Sequence, residues 1–123
     1  MTKTIVVADD NPASRELMCE LLESSGYRVV EAADGSEALE KTLEVRPNLV
    51  VLDIELPAMS GFEVLEAIRQ HPELSSLPVV AVTARAMEGD LERGVAAGFD
   101  AYITKPIKIS AARARIRELL EEK

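Results

Sequence analysis

Cysteine and aromatic side chains are scarce in this chain of 123 residues. Cys19 is the only cysteine, which excludes an internal disulfide and a metal site built from several cysteines. It lies in an apolar helical pattern, so we expect a plain thiol that is buried or half-buried. Tryptophan is absent and aromatic residues make up 3% of the chain, too few for a surface on which nucleic acid bases stack.

Long apolar runs and an excess of basic residues are missing as well. No apolar run approaches the roughly 20 residues that cross a bilayer, and the N-terminus lacks the long apolar core of a signal peptide. We therefore expect a cytoplasmic protein that does not bind membranes. Lysine and arginine total 14 against 22 acidic residues, which gives a net charge of -8. Direct binding of nucleic acid is disfavoured, because neutralising phosphates requires a basic face.

The residues that are present indicate one folded domain. Hydrophobic residues account for 47% of the chain and are spread evenly along it, which argues against disorder. A chain of 123 residues can bury one substantial core but not two, so we predict a single domain over residues 1–123. We find no linker, internal repeat or low-complexity tract that would divide it.

Strand patterns alternate with amphipathic helix patterns along the whole chain. The strand that ends at Asp53 holds four consecutive apolar residues, which is typical of a strand buried on both faces of a parallel sheet. In chain order the predicted strands are Thr4–Ala8, Tyr27–Ala32, Asn48–Asp53, Val79–Val82 and Asp100–Ile103. Predicted helices run from Asn11 to near Gly26, from Asp34 to about Val45, from Ser60 onward, over about Met87–Ala97, and from Ile109 onward.

Capping residues and apolar spacing define the predicted helices. Asn11 is a good N-cap with Pro12 at the first helical position, and Asp34 and Ser60 begin sequences that resemble capping boxes. The predicted core positions are Leu17, Leu21 and Leu22 in the first helix, Phe62, Leu65 and Ile68 in the third, and Ile109, Ala112, Ile116, Leu119 and Leu120 in the last.

Five strand–helix units with short connections predict an α/β fold. Right-handed crossovers then favour a five-stranded parallel sheet with helices on both faces. In such a sheet every strand has its carboxyl end at the same edge, which is where open α/β sheets bind their ligands.

Polar side chains follow four of the five predicted strands. Asp9 and Asp10 follow the first, Asp53 ends the third, Thr83 follows the fourth and Lys105 comes just after the fifth. Three converging carboxylates repel one another unless a cation joins them, and an all-oxygen ligand set suits Mg²⁺. We therefore predict that Asp53 accepts a phosphoryl group. Lys105 and Thr83 would each bind one of its oxygens.

In this arrangement the chain resembles the receiver domain of bacterial two-component response regulators over essentially its whole length. The motifs that carry the resemblance are Asp9-Asp10 after the first strand, Asp53 with Pro57 and Gly61 behind it, Thr83-Ala84, and Lys105-Pro106. The resemblance implies a flavodoxin-like strand order 2-1-3-4-5. It also implies phosphotransfer to Asp53 from a phosphohistidine on a sensor kinase or a phosphotransfer protein.

Further roles follow from the same resemblance. Mg²⁺ would be held by the side chains of Asp10 and Asp53 and by the backbone carbonyl of Glu55, with Asp9 acting mainly through water. Such a chain is a monomeric signalling protein that assists its own phosphorylation and dephosphorylation but is not a turnover enzyme. Pro57 and the start of the first helix would contact the kinase.

The resemblance also implies a conformational switch. Lys105 would precede a cis proline, Pro106, that aims the lysine into the site. On phosphorylation Thr83 would move onto the phosphoryl group and Tyr102 would turn inward. The face made by the fourth helix, fifth strand and fifth helix would then change its affinity for a downstream protein.

Two departures from the family pattern and one charged surface qualify this interpretation. Leu56 stands where many relatives have Met, a neutral packing change. The acidic side chain of Glu55 could approach the metal or a hydrolytic water and alter the phosphate lifetime. The last helix carries a basic set that either forms a solvated face or docks an acidic partner: Lys108, Arg113, Arg115 and Arg117.

Two other functions share part of the pattern. A phosphatase of the haloacid dehalogenase type also uses a strand-end aspartate with an acid two residues on, as in Asp53-Ile54-Glu55. That class usually has its nucleophile near the chain start and carries a cap domain. A flavin-binding module on the same fold needs a glycine- and hydroxyl-rich phosphate loop after the first strand, where Asp9 and Asp10 would repel the phosphate.

Overall fold

Five parallel strands form one sheet in the order β2-β1-β3-β4-β5. The computed structural model of the chain describes residues 2–84 and 98–121. The strands are β1 (Thr4–Ala8), β2 (Arg28–Ala32), β3 (Leu49–Asp53), β4 (Val79–Thr83) and β5 (Ala101–Thr104). The helices are α1 (Pro12–Glu23), α2 (Gly35–Val45), α3 (Gly61–Arg69) and α4 (Ile109–Glu121), with a short 3-10 turn at Pro72–Leu74. The predicted helix over about Met87–Ala97 lies outside the described residues.

Burial of the strands follows their place in the sheet. Every residue of β3 and β4 is buried, as the runs of consecutive apolar residues predict for strands covered on both faces. The outer strands β2 and β5 are only partly buried. The flavodoxin-like order and the parallel pairing are confirmed.

Helices cover both faces of the sheet. One apolar cluster joins α1 and α4 to the sheet through residues such as Leu22 and Ile116. The other joins α2 and α3 through Ala38, Leu65 and Ile68. The single cysteine, Cys19, is buried in the first cluster as expected, and burial next to acidic side chains raises the pKa of its thiol to about 11.

The predicted caps set the starts of the helices near the site. The Asn11 side chain accepts a hydrogen bond from the Ser14 amide at 3.0 Å, one residue before Pro12 opens α1. Ser60 and Glu63 form a complete capping box at α3. Asp34 caps α2 through the Glu37 amide, although the Glu37 carboxylate accepts from Ala33 instead of closing the box.

The apolar spacing predicted one core position wrongly. Ile109 is 45% exposed, and Leu119, Leu17 and Phe62 are only half-buried. Ile109 is the first residue of α4, and the packed part of the helix begins one turn later at Ala112, so the apolar periodicity extends beyond the core. No helix within residues 2–84 and 98–121 is long and apolar enough to cross a membrane.

Candidate functional site

The carboxyl edge of the sheet brings three carboxylates together. Asp9, Asp10 and Asp53 each offer a carboxylate oxygen within 4.8 Å of the other two. Asp9 and Asp53 are buried, at 5% and 6% exposure, while Asp10 is exposed to solvent. The site is therefore a recessed acidic cluster with one side open to solvent.

Lys105 places an ammonium between two of these acids. Its Nζ lies 2.8 Å from Asp53 Oδ2 and 3.2 Å from Asp9 Oδ2. The Lys105 amide also donates to the Thr83 carbonyl at 2.8 Å, and the Lys105–Pro106 peptide bond is cis. Burial by itself lowers the pKa of the Lys105 ammonium, but the hydrogen bonds and charges of Asp53 and Asp9 outweigh it and raise that pKa.

The Asp53 carboxylate is held at both of its oxygens. Oδ1 accepts a hydrogen bond from the Glu55 amide at 2.9 Å, and Oδ2 accepts from Lys105 at 2.8 Å. The side chain is thereby fixed at the end of β3, facing the acids of β1. Because both oxygens are held, the Asp53 carboxylate keeps one orientation. A fixed orientation suits a nucleophile that must attack in line with the bond that breaks.

Asp9 is held by hydrogen bonds to both its side chain and its backbone. Its Oδ1 accepts from the Asn11 amide at 2.9 Å, and its own amide donates to the Ala32 carbonyl at 3.1 Å. Burial, together with the negative charge of Asp53, raises the pKa of the Asp9 carboxyl, although the Asn11 amide and Lys105 oppose that rise. The positive charge of Lys105 therefore does not fully offset the negative charge of the ionised cluster.

Thr83 and Tyr102 lie on the adjoining strands. Thr83 ends β4 with 3% exposure and pairs in register with Thr104 of β5. Tyr102 is half-buried and stacks on Phe99, with ring centroids 6.3 Å apart and an interplanar angle of 24°. Phe99 in turn meets Phe62 of α3 edge-on at 5.7 Å. An aromatic row thus connects the start of α3 with the residue that the family resemblance assigns to switching.

Two glycines hold the loop that follows Asp53. Gly61 donates to the Ile54 carbonyl at 2.8 Å, and a Cβ on Gly61 would lie 2.8 Å from the Asp53 carbonyl oxygen. Gly35, at the start of α2, comes so close that a Cβ would lie 1.9 Å from the carbonyl oxygen of Met59. Only glycine permits both approaches. Sequence reasoning gave Gly61 a role in this loop but missed Gly35, because no local pattern shows which helix will press on which loop.

The donor set fits a hard divalent cation. The side-chain oxygens that converge beside the Lys105 ammonium all belong to carboxylates, the ligands that Mg²⁺ prefers, and the exposed Asp10 leaves a path from solvent. Burial and, to a smaller extent, the charge of Asp53 raise the pKa of Asp9, and a bound cation would favour its ionised form. The acidic cluster is thus compatible with Mg²⁺ binding.

Replacing Asp9 by asparagine is expected to stabilise the metal-free protein at neutral pH. An acid whose pKa is raised by folding binds its proton more tightly in the folded state, so ionisation costs stability as pH rises above the ordinary value of 3.8. Asp9→Asn removes that cost and keeps an oxygen for the Asn11 amide. Thermal unfolding in EDTA should show a Tm about 3 °C above wild type at neutral pH. This gain should shrink as the pH falls towards the ordinary Asp9 pKa of 3.8 and be absent below it.

Glu40→Gln, a neutralisation on the exposed face of α2, serves as the matched control and should leave the Tm unchanged. A Tm for Asp9→Asn below that of wild type at neutral pH would contradict the pKa direction on which this prediction depends.

Comparison with known proteins identifies the class to which this fold and site belong. The model of the family described as "Response regulator receiver domain" matches residues 5–117. The chain belongs to that family, and it is a receiver domain of two-component signalling. Family membership decides against the haloacid dehalogenase and flavin-binding alternatives. Receiver domains are signalling proteins that interact with histidine kinases and downstream targets.

Individual relatives agree in sequence and in shape. The polar-differentiation response regulator DivK of Brucella ovis is 43% identical over 109 residues, which cover 89% of each protein. The chemotaxis protein CheY4 of Vibrio cholerae is 26% identical with a TM-score of 0.91, over 97% of this chain and 99% of that one. A sensor histidine kinase receiver domain from Pseudomonas aeruginosa, solved with a magnesium ion in its active site cleft, is 29% identical with a TM-score of 0.91, over 99% and 100%.

Proposed function

We propose that this chain is a cytoplasmic phosphoacceptor that receives a phosphoryl group on Asp53 from a phosphohistidine of a sensor kinase or phosphotransfer protein. The observation that carries the proposal is the geometry of Asp53, a buried carboxylate at the edge of the sheet with Lys105 Nζ 2.8 Å away. We further propose that residues 1–123 act as one receiver unit and that the unit is monomeric.

The proposed transfer balances as a single displacement. An Asp53 oxygen forms a bond to phosphorus while the phosphorus–nitrogen bond to the donor imidazole breaks, and the imidazole nitrogen keeps the electron pair. The Glu55 amide orients the carboxylate, since it donates to Oδ1 at 2.9 Å. The Lys105 ammonium lies beside Asp53 on a flexible side chain. It can therefore move to bind an oxygen of the transferred phosphoryl group as negative charge develops there.

A divalent ion fits the acids around this carboxylate. We propose that Mg²⁺ is held by the side chains of Asp10 and Asp53 and by the backbone carbonyl of Glu55, with Asp9 acting mainly through water. Bound there, it would supply positive charge to the equatorial phosphoryl oxygens and so lower their repulsion with the acids. The Asn11 amide donates to the Asp9 carboxylate at 2.9 Å and so holds it beside the proposed position of the ion.

The phosphorylated state would be transmitted along β4 and β5. We propose that the Thr83 hydroxyl binds a phosphoryl oxygen and that Tyr102 turns inward in response. The face formed by the predicted helix over about Met87–Ala97, β5 and α4 would then change its affinity for a downstream protein. A cavity of about 310 Å³ between β5 and α4, which Tyr102, Lys108 and Arg115 help to line, supports a partner of acidic and apolar character on this face.

The lifetime of the phosphoryl group depends on its access to water. Glu55 is exposed two residues after Asp53, where its side chain can reach the outer side of the site. We propose that this carboxylate influences hydrolysis, and that the chain assists its own dephosphorylation without acting as a turnover enzyme.

Single-turnover phosphotransfer tests the proposal. The chain is mixed with a histidine-phosphorylated donor domain, with Mg²⁺ or with EDTA, and intact mass is followed with time. We expect one phosphoryl group per chain with Mg²⁺, lost on treatment with hydroxylamine as an acyl phosphate is, and very little in EDTA. Steady release of phosphate from an aryl phosphate over many turnovers, or a hydroxylamine-resistant label, would overturn the proposal.

A further inference from the structure

We propose that Arg15 is a positioning residue for the metal-binding carboxylate of Asp10, and that it acts through the peptide bond between Asp9 and Asp10. This inference rests on the proposed function, because it concerns the Mg²⁺ site that the function requires. Arg15 lies on the first turn of α1, and it contacts the backbone of the acidic pair and not its carboxylates.

The guanidinium of Arg15 binds the backbone of the acidic pair directly. Its Nη1 donates to the Asp9 carbonyl oxygen at 2.6 Å, a short hydrogen bond from a charged donor. That carbonyl belongs to the peptide unit that leads into Asp10. Because a peptide unit is planar, a fixed carbonyl also fixes the direction in which the Asp10 backbone leaves it. Asp10 itself is exposed, so the orientation of its carboxylate depends strongly on this backbone.

Glu31 holds Arg15 in place from the neighbouring strand. Arg15 Nε donates to Glu31 Oε1 at 3.0 Å, so one guanidinium spans from β2 to the end of β1. The Arg15 side chain is 21% exposed and that of Glu31 58% exposed. A planar guanidinium with several donors can make both bonds at once, whereas a lysine ammonium on its single stem cannot reproduce that fork.

Arg15 acts on the site by geometry more than by charge. Burial, the Asn11 amide and the charges of Asp53 and Lys105 determine the pKa of Asp9. The charge of Arg15 is itself paired with Glu31. An effect through charge and an effect through geometry would change Mg²⁺ affinity in opposite directions. Loss of a nearby positive charge would by itself strengthen Mg²⁺ binding, while loss of the bond to the Asp9 carbonyl should weaken it.

Isothermal titration of Mg²⁺ into wild type, Arg15→Gln, Arg15→Lys and Glu31→Gln tests the inference. We expect Arg15→Gln and Arg15→Lys to weaken Mg²⁺ binding about tenfold, the scale on which partners of metal ligands act. Glu31→Gln should weaken it by a smaller factor, since Arg15 remains. Arg28→Gln, at the opposite end of β2, removes the same charge and should leave the affinity at or slightly above that of wild type.

Phosphorylation by acetyl phosphate separates positioning from general damage. The Arg15 variants should be slow at low Mg²⁺ and recover to the wild-type rate at saturating Mg²⁺, because only metal affinity is impaired. A small donor is used because Arg15 also borders the surface expected to contact a kinase. Unchanged or stronger Mg²⁺ binding in Arg15→Gln, or a rate defect that saturating Mg²⁺ does not repair, would overturn the inference. Absence of Mg²⁺ binding in wild type would instead overturn the proposed function.

Discussion

The substitution Asp53→Asn will abolish transfer of a phosphoryl group to this chain, and the variant will keep its fold. The amide of Asp53→Asn has the size of the carboxylate and keeps an oxygen for the Glu55 amide, which donates at 2.9 Å in wild type. It carries no negative charge, however, and an amide oxygen is a poor nucleophile towards phosphorus. We expect labelling by acetyl phosphate or by a phosphohistidine donor to fall at least about 100-fold, as measured by intact mass.

The controls for this variant separate loss of the nucleophile from loss of structure. Asp53→Asn should show a cooperative thermal transition like that of wild type, and Glu40→Gln should be labelled at the wild-type rate. Mg²⁺ should raise the Tm of wild type more than that of Asp53→Asn, since a ligand that binds the folded state more tightly stabilises it more at the same concentration. Equal labelling of Asp53→Asn and wild type would place the phosphoryl group on another residue.

Lys105→Met will destabilise the metal-free protein, in contrast to Asp9→Asn. Lys105 Nζ is the ammonium that lies 2.8 Å from Asp53 and 3.2 Å from Asp9, and both carboxylates are buried. Its removal leaves two neighbouring buried carboxylates without the ammonium that lies between them. Breaking a fully buried pair costs about 3–5 kcal/mol, and with the Lys105 side chain 20% exposed we expect about 2 kcal/mol. Urea unfolding in EDTA measures it.

Three comparisons test whether this effect arises from the acidic cluster. Lys108→Met, an exposed lysine three residues on, should change the free energy of unfolding by less than about 0.5 kcal/mol. In Lys105→Met, Mg²⁺ should recover more stability than in wild type, because it replaces the missing positive charge. Adding Asp9→Asn to Lys105→Met should restore part of the loss, which a double-mutant cycle measures as coupling. A stability of Lys105→Met equal to that of Lys108→Met would contradict the prediction.

Much of the fold follows from local patterns that the sequence displays directly. The apolar run that ends at Asp53 predicts a doubly covered strand, and β3 is buried throughout. The last strand was predicted one residue early, at Asp100–Ile103, and the structure has Ala101–Thr104. The strand order itself came from the family resemblance, because alternation of strands and helices restricts a sheet to parallel pairing without stating which strand is central.

Predictions that depend on distant parts of the chain were less complete. The periodicity of the last helix placed Ile109 in the core, but the structure leaves it 45% exposed at the start of α4. The contact of Gly35 with the loop after Asp53 joins residues far apart in the chain, and no local motif marks it. The guanidinium of Arg15 likewise joins distant segments, since it binds both the Asp9 carbonyl and Glu31 of β2.

The amino-acid sequence alone determined the elements, their parallel arrangement and the types of side chain that end the strands. Periodicity and capping act within a few residues, and the parallel pairing requires all strand ends to share one edge. Only the tertiary structure decided the distances at this edge: the Lys105 ammonium between two acids, the glycines that bring α2 and α3 against the loop, and the hydrogen bond from Arg15 to the Asp9 carbonyl. These contacts join segments whose separation is set by close packing of the whole core, and no local pattern encodes that packing.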